Sequence, residues 1–150
     1  MYRTEKEEFI IGAISLLANG LTQFGDKVLT DITFKQWFLL MLISRMETEE
    51  KSINSIAEYV GTTRQNVKKM LTSLEAKGYV VMRRSKQDAR ALQVELTRKT
   101  YQLFEDKDVP LACETNQLFH IFSDEEIGIF VNLLQKMAKC LELYGEKRDS

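Results

Sequence analysis

Proline and histidine each occur once in these 150 residues, and cysteine only twice. Seven scattered glycines and Pro110 leave no flexible linker, no low-complexity tract, no internal repeat and no glycine-rich phosphate loop. The length and the 44% hydrophobic content suit a single domain spanning 1–150. His120 is the sole histidine, and Cys113 and Cys140 lie 27 positions apart, so no zinc-ligand spacing exists and neither metal nor cofactor is expected. The two thiols read as small buried hydrophobes more readily than as oxidant sensors. In Leu118-Phe-His-Ile-Phe122, His120 reads as a hydrogen-bonded structural residue. No Ser-His-Asp set can be assembled, and Glu125-Glu126 suit a helix N-terminus better than an acid–base pair. Catalytic residues are therefore expected to be none, and enzymatic activity is not expected. No run of about 18 apolar residues exists to span a membrane. The first residues, MYRTEKEE, are not a basic-then-apolar export signal, and few cysteines fit a reducing cytoplasm, which is the expected location.

A net charge of −1 conceals a strong asymmetry. From Arg64 to Lys99 there are ten Lys or Arg and three acids, a net of +7. The remainder has eleven basic and nineteen acidic residues, a net of −8. A basic segment in an acidic scaffold is the electrostatic mark of phosphate binding at one face.

That segment sits in the most informative stretch, Ile56 to Gly78 (IAEYVGTTRQNVKKMLTSLEAKG), which reads as two helices joined by a tight turn. Ala57 is small enough to let a second helix approach, and Gly61 can take positive φ in the turn. The first helix is predicted from about Asn54 to Val60. Thr63 stands at an N-cap position and Gly78 at a C′ position, which predicts the second helix over Arg64–Lys77. Val67, Leu71 and Leu74 form its apolar stripe, leaving Gln65, Asn66, Lys68, Lys69 and Thr72 opposite. Gln and Asn can bond adenine bidentately, and Lys or Arg reach guanine or phosphate. A charged helix face is by itself ordinary solvated surface.

The next segment gives that face a purpose. Tyr79–Arg84 and Leu92–Leu96 alternate apolar and polar at period two, with Leu92, Val94 and Leu96 expected inward and Gln93 and Glu95 outward. The polar loop Ser85-Lys-Gln-Asp-Ala-Arg90 between them has the length of a projecting wing. Thr97 is expected to cap the following helix, which would run from Arg98 toward His120 with an interruption at Pro110.

The flanks read as helices. Thr4–Glu7 and Thr33–Gln36 have capping-box spacing, as does Ser123–Glu126. The first opens a helix carrying Ile10, Ile14, Leu17, Leu21, Phe24 and Val28, and the second a helix from Phe34 to about Arg45. The last helix, to about Tyr144, has one stripe of Ile127, Phe130, Leu134, Met137, Leu141 and Tyr144 and another of Ile129, Leu133 and Cys140. A small chain cannot cover both sides, so a homodimer is expected, and a dimer also suits the reading of paired half-sites.

With these segments in place, the chain resembles the MarR family of bacterial transcriptional regulators over nearly its whole length. The resemblance rests on Thr33-x-x-Gln36-Trp37, on the run Leu74-Glu-Ala-Lys-Gly-Tyr-Val80, and most specifically on Asp88-x-Arg90-x-x-x-Val94-x-Leu96-Thr97. Relatives often carry Gly where this chain has Thr100. The resemblance implies a mainly α fold with a small β-hairpin wing, in which about 33–97 form the DNA-binding winged helix-turn-helix lobe and about 1–32 and 98–150 the dimerisation helices. It also implies a homodimeric repressor binding double-stranded DNA at a pseudo-palindromic operator, released by a small-molecule or oxidant signal. On this reading Thr63, Arg64, Gln65, Asn66, Lys68, Lys69, Arg84, Lys86, Asp88 and Arg90 meet DNA. Arg90 would enter the minor groove, with Asp88 holding the wing tip. A small aromatic or lipophilic effector would meet Phe9, Trp37 and Phe38, although aromatics at helical spacing are more often core. A different reading keeps the winged helix as a protein-interaction module for an acidic partner. Gln65, Asn66 and Arg90 favour DNA over that alternative.

Overall fold

The computed structural model describes residues 2–106 and 110–148. Its elements run α1 (Arg3–Val28), α2 (Phe34–Arg45), α3 (Ile53–Val60), α4 (Arg64–Ala76), β1 (Val80–Arg84), β2 (Leu92–Leu96), α5 (Arg98–Glu105), α6 (Pro110–Phe119) and α7 (Asp124–Arg148). The chain divides into two compact units, Met1–Leu111 and Ala112–Ser150.

Local chemistry accounts for most boundaries. Thr33 and Gln36 form the expected reciprocal cap of α2: the Gln36 N–H donates to Thr33 Oγ1 at 3.2 Å, and the Thr33 N–H donates to Gln36 Oε1 at 3.1 Å. Ser123 and Glu126 repeat it at α7. The first helix departs from expectation. Its cap is Tyr2, not Thr4, because Glu5 reaches back to accept the Tyr2 N–H at 2.7 Å, and Arg3 pairs with Glu7 one turn on. Helix α3 starts one residue early, since Ser52 Oγ accepts from the Ser55 N–H at 3.0 Å. Pro110 opens α6 at the first helical position, where its missing N–H costs nothing, so the stretch after Arg98 is interrupted at Pro110 into two helices, as expected. Residues 107–109 between them lie outside the described residues.

Two glycines do what their backbone freedom permits. Gly61 takes φ +73 after α3, and both it and Thr62 donate to the Ala57 carbonyl, which closes the turn into α4. Gly78 takes φ +80 after α4. There the Tyr79 N–H bonds the Leu74 carbonyl and the Gly78 N–H bonds the Glu75 carbonyl, the pair of bonds that defines a Schellman stop. Helix α4 consequently ends at Ala76, one residue before the predicted end.

Strands β1 and β2 pair antiparallel with Val80 opposite Leu96 and Arg84 opposite Leu92. Val94 is buried and Glu95 exposed as expected. Gln93 is half-buried instead of outward, because Ser52 bridges to it and the Lys51 carbonyl accepts the Val94 N–H at 2.8 Å. Tyr79 lies before the strand and outside its alternation, so Tyr79 and Val80 are both buried. The core of the first unit joins Leu39, Leu40 and Ile43 of α2, Ile56 and Ala57 of α3, the α4 stripe, and Val80 and Val94 of the hairpin. Val67, Leu71 and Leu74 are all 0% exposed, as the stripe predicted.

The terminal helices differ. On α1, Phe9, Ile11, Leu16 and Leu17 are exposed, and on α7 so are Ile129, Phe130, Leu133, Leu134, Leu141 and Tyr144. Cys113 and Cys140 were expected to be buried and are exposed on the single chain, because the apolar sides of α6 and α7 have no covering element within their unit. His120 is also exposed, with its ring Nδ1 bonded to the Gln117 carbonyl just past α6. Among the described residues, no helix is long and apolar enough to cross a membrane.

Candidate nucleic-acid interface

Helix α4 turns its polar side out. Arg64, Gln65, Asn66, Lys68, Lys69 and Thr72 are all exposed, while the Val67, Leu71 and Leu74 stripe anchors the helix in the core. Thr63 caps it, with Oγ1 accepting from the Asn66 N–H at 3.2 Å. The Asn66 amide also reaches Thr62 Oγ1 across 3.4 Å, a long bond that is readily exchanged for a better acceptor. The helix N-terminus, with its free N–H groups and partial positive charge, therefore sits beside Arg64, Gln65 and Asn66.

The wing is organised from one hydroxyl. Ser85 is buried, and its Oγ accepts from the Gln87 and Asp88 N–H groups at 3.1 and 3.3 Å. The Ser85 N–H donates to the Ala91 carbonyl and the Ala91 N–H to the Asp88 carbonyl, closing the loop. The Asp88 carboxylate accepts the Arg90 N–H at 2.9 Å. Asp88 thus holds Arg90 through its backbone, and among the described residues no ion pair joins the two side chains. The Arg90 guanidinium is left available at the tip. Arg84, Lys86, Asp88 and Arg90 are all exposed there. Arg83 lies near Glu95 across the hairpin at 3.9 Å, an exposed pair that adds little to stability.

Further residues couple helix to wing. The Glu75 carboxylate on α4 accepts the Met82 N–H of β1 at 2.7 Å. Glu50, in the loop after α2, accepts from Ser85 Oγ and Gln93 Nε2 at 3.5 and 3.4 Å. Only Ser85 had a readable signal, a serine two and three residues before the amides it serves. Thr97 occupies the N-cap position of α5, but its hydroxyl donates to the Gly78 and Tyr79 carbonyls instead of capping that helix.

The three candidate effector-contacting aromatics stand in different surroundings on the single chain. Phe38 lines a groove of about 650 Å³ whose walls include Gln36, Leu39, Val60, Asn66, Lys69 and Met70. Trp37 stacks on Phe34 at 5.8 Å and packs against the core, and Phe9 is 67% exposed on α1. Among the described residues, no group of three or more His, Cys, Asp or Glu could hold a metal ion.

The arrangement of a capped, cation-bearing helix and an arginine-tipped hairpin coincides with the model of the MarR family, which matches residues 30–91. Over those residues the chain is similar to MarR-family transcriptional regulators. It is similar to the uncharacterized HTH-type transcriptional regulator YfiV of Bacillus subtilis strain 168, with 25% identity over 92% of this chain and 85% of that protein. A MarR transcriptional regulator from Methanosarcina mazei Go1 superposes with a TM-score of 0.78 at 25% identity, over 91% of this chain and 99% of the other. The Staphylococcus aureus MepR–DNA complex gives a TM-score of 0.74 at 24% identity, over 86% and 95%. Against these MarR structures the fold is the winged helix expected from the sequence, mainly helical with a two-stranded hairpin.

Proposed function

We propose that this protein is a cytoplasmic homodimeric repressor of the MarR family that binds a pseudo-palindromic operator in double-stranded DNA. The observation that carries the reading is the shared exposure of the α4 polar face and the Arg90 wing tip on a lobe whose opposite sides are closed into a core. Gln65 and Asn66 read base edges in the major groove; Thr63, Arg64, Lys68, Lys69, Arg84 and Lys86 meet phosphates; Arg90, set by Asp88, enters the adjacent minor groove. The DNA-bound state of MepR supports this reading by similarity of fold. The apolar faces of α1 and α7 support homodimerisation, since side chains such as Leu16, Leu141 and Tyr144 would otherwise stand in water. On this division, about 1–32 and 98–150 supply the dimer and about 33–97 the DNA-binding lobe.

The release signal is a small aromatic or lipophilic molecule. The groove holding Phe38 supports this, because Asn66 and Lys69 of α4 share its wall, so an occupant would compete with their DNA contacts. An oxidant acting on exposed Cys113 or Cys140 is the second candidate signal. An electrophoretic shift against the promoter of its own gene, with competitor DNA, tests the function. A sequence-selective shift is expected. Binding that vanishes with competitor would instead favour an acidic protein partner.

A further inference from the structure

The recognition helix is gripped at its far end, away from the residues proposed to read DNA. The grip comes from the elbow between α1 and α2. There a Cβ on Gly25 would overlap the Phe34 ring, so the two helices meet closely, and Asp26 Oδ1 accepts the Phe34 N–H at 2.7 Å. From this elbow two side chains reach forward. Gln36, itself buried and already capping α2, donates through Nε2 to Ser73 Oγ on α4 at 3.0 Å. Asp31 Oδ2 accepts the Tyr79 hydroxyl at 2.6 Å, just past the Schellman stop of α4.

Around that second bond the contacts are dense. Lys77 Nζ donates to the Asp31 carbonyl, and Lys99 Nζ reaches Asp31 Oδ2 at 3.4 Å and the Lys77 carbonyl at 2.8 Å. Lys99 also lies 4.3 Å from the centre of the Tyr79 ring. The Tyr79 carbonyl accepts from the Thr97 and Thr100 hydroxyls. Thr100, where relatives often have Gly, is fully buried here and completes the clasp. Three elements thus converge on Tyr79: the elbow, the end of α4, and the start of α5.

We propose that Asp31 and Tyr79 are positioning residues for specificity: their hydrogen bond locks the pose of α4 against the α1–α2 elbow and so sets the half-site spacing that the dimer accepts. This rests on the dimeric DNA-binding reading above. The geometry supplies the lever. Helix α4 has 13 residues, a length of about 20 Å. A tilt of about 10° at its Tyr79 end displaces Gln65 and Asn66 by about 3.5 Å, the size of one base-pair step. One inserted base pair also turns a half-site by about 35° around the DNA axis, which a rigidly held helix cannot follow. Loosening the clasp lets the helix follow part of that change.

The test uses full-length Tyr79→Phe and Asp31→Ala. The first keeps the ring, and the second alters an exposed carboxylate, so each removes the bond with little change in packing. An operator duplex selected from a random pool with the parent protein is compared with versions one base pair longer and shorter in the spacer, by fluorescence anisotropy across salt concentrations. Both variants are expected to remain folded dimers with affinity for the selected operator within about threefold of parent, while discrimination against the altered spacers shrinks by about tenfold. The salt slope should not change, because no phosphate contact is lost. Unchanged spacer discrimination in the folded variants would overturn the proposal, and so would a shifted salt slope, which would mark a direct electrostatic role. Should Tyr79→Phe fold poorly, Asp31→Ala decides alone. A parent that is monomeric or finds no operator in the pool overturns the underlying reading and this one with it, through measurements made before any variant is compared.

Discussion

The winged lobe and the two long helices use the same kinds of apolar residue for different ends. In the lobe, Leu39, Leu40, Ile43, Ile56, Val67, Leu71 and Leu74 are each 1% exposed or less, and the polar residues left outside are those suited to phosphates and bases. On α1 and α7, Phe9, Leu16, Leu133, Leu141 and Tyr144 remain more than half exposed. Apolar periodicity alone therefore shows which face of a helix avoids water, without showing whether the chain itself or another copy supplies the cover. The difference should appear as a different dependence on protein concentration: stability of a closed core has none, whereas that of a shared interface rises with concentration.

Breaking the dimer side should have the largest effect. Leu134→Asp with Leu141→Asp places two charges in the proposed interface, and operator affinity should fall at least about a hundredfold as the two half-sites cease to be bound together. Size-exclusion chromatography with light scattering should show monomer or aggregate at micromolar concentration. A folded dimer at that concentration would contradict the contrast between the two regions.

Breaking the lobe instead should cost stability. Leu71→Ala removes a fully buried side chain and is expected to destabilise by about 2–5 kcal/mol. If the unfolding midpoint of this variant shifts with concentration more than that of the parent, the lobe is not self-contained.

Surface substitutions sharpen the distinction between fold and function. Arg90→Ala should leave dimerisation and thermal unfolding unchanged, because only the Arg90 backbone takes part in the wing-tip bonds, yet operator binding should weaken by about 1–3 kcal/mol. Arg90→Lys should recover part of it, since Lys holds its water more strongly. Asn66→Ala should lose preference at particular base pairs, whereas Lys86→Ala should weaken all sequences alike and reduce the salt slope by about one unit per subunit. Early unfolding of Arg90→Ala would reassign it to structure.

The smallest effect concerns pH. Burial and the hydrogen bond to Asp31 raise the Tyr79 hydroxyl from 10.0 to about 12, so the unfolded chain releases that proton first and stability falls as pH rises from 10 toward 12. The bond from Tyr79, helped by Lys99 and Lys77, lowers the Asp31 carboxyl from 3.8, so its contribution is present above that value and is lost as pH falls through the lower folded one. Urea midpoints of Tyr79→Phe should therefore decline less than those of the parent at both extremes. Parallel curves would mean that the bond does not contribute.

Features decided within three or four residues were legible in the chain alone. The Thr33–Gln36 and Ser123–Glu126 caps, the positive-φ glycines at 61 and 78, the α4 stripe and the period-two strand Leu92–Leu96 all follow from local sterics and from amides that must find the nearest acceptor. Even there competition could mislead. Thr4 lost the first cap to Tyr2 and Glu5, and Thr97 turned its hydroxyl toward α4 because the carbonyls of Gly78 and Tyr79 came within reach. The candidate DNA-contacting residues were legible as types at spacings, since exposure on the polar side of a helix follows from its apolar stripe. The supports beneath them were not. Asp31 meets Tyr79 across 48 positions, Gln36 meets Ser73 across 37, and Glu50 meets Ser85 across 35. Each of these polar side chains had many admissible partners in sequence, and only the packing of α2 and α4 around one core brought a particular donor within hydrogen-bond reach of a particular acceptor.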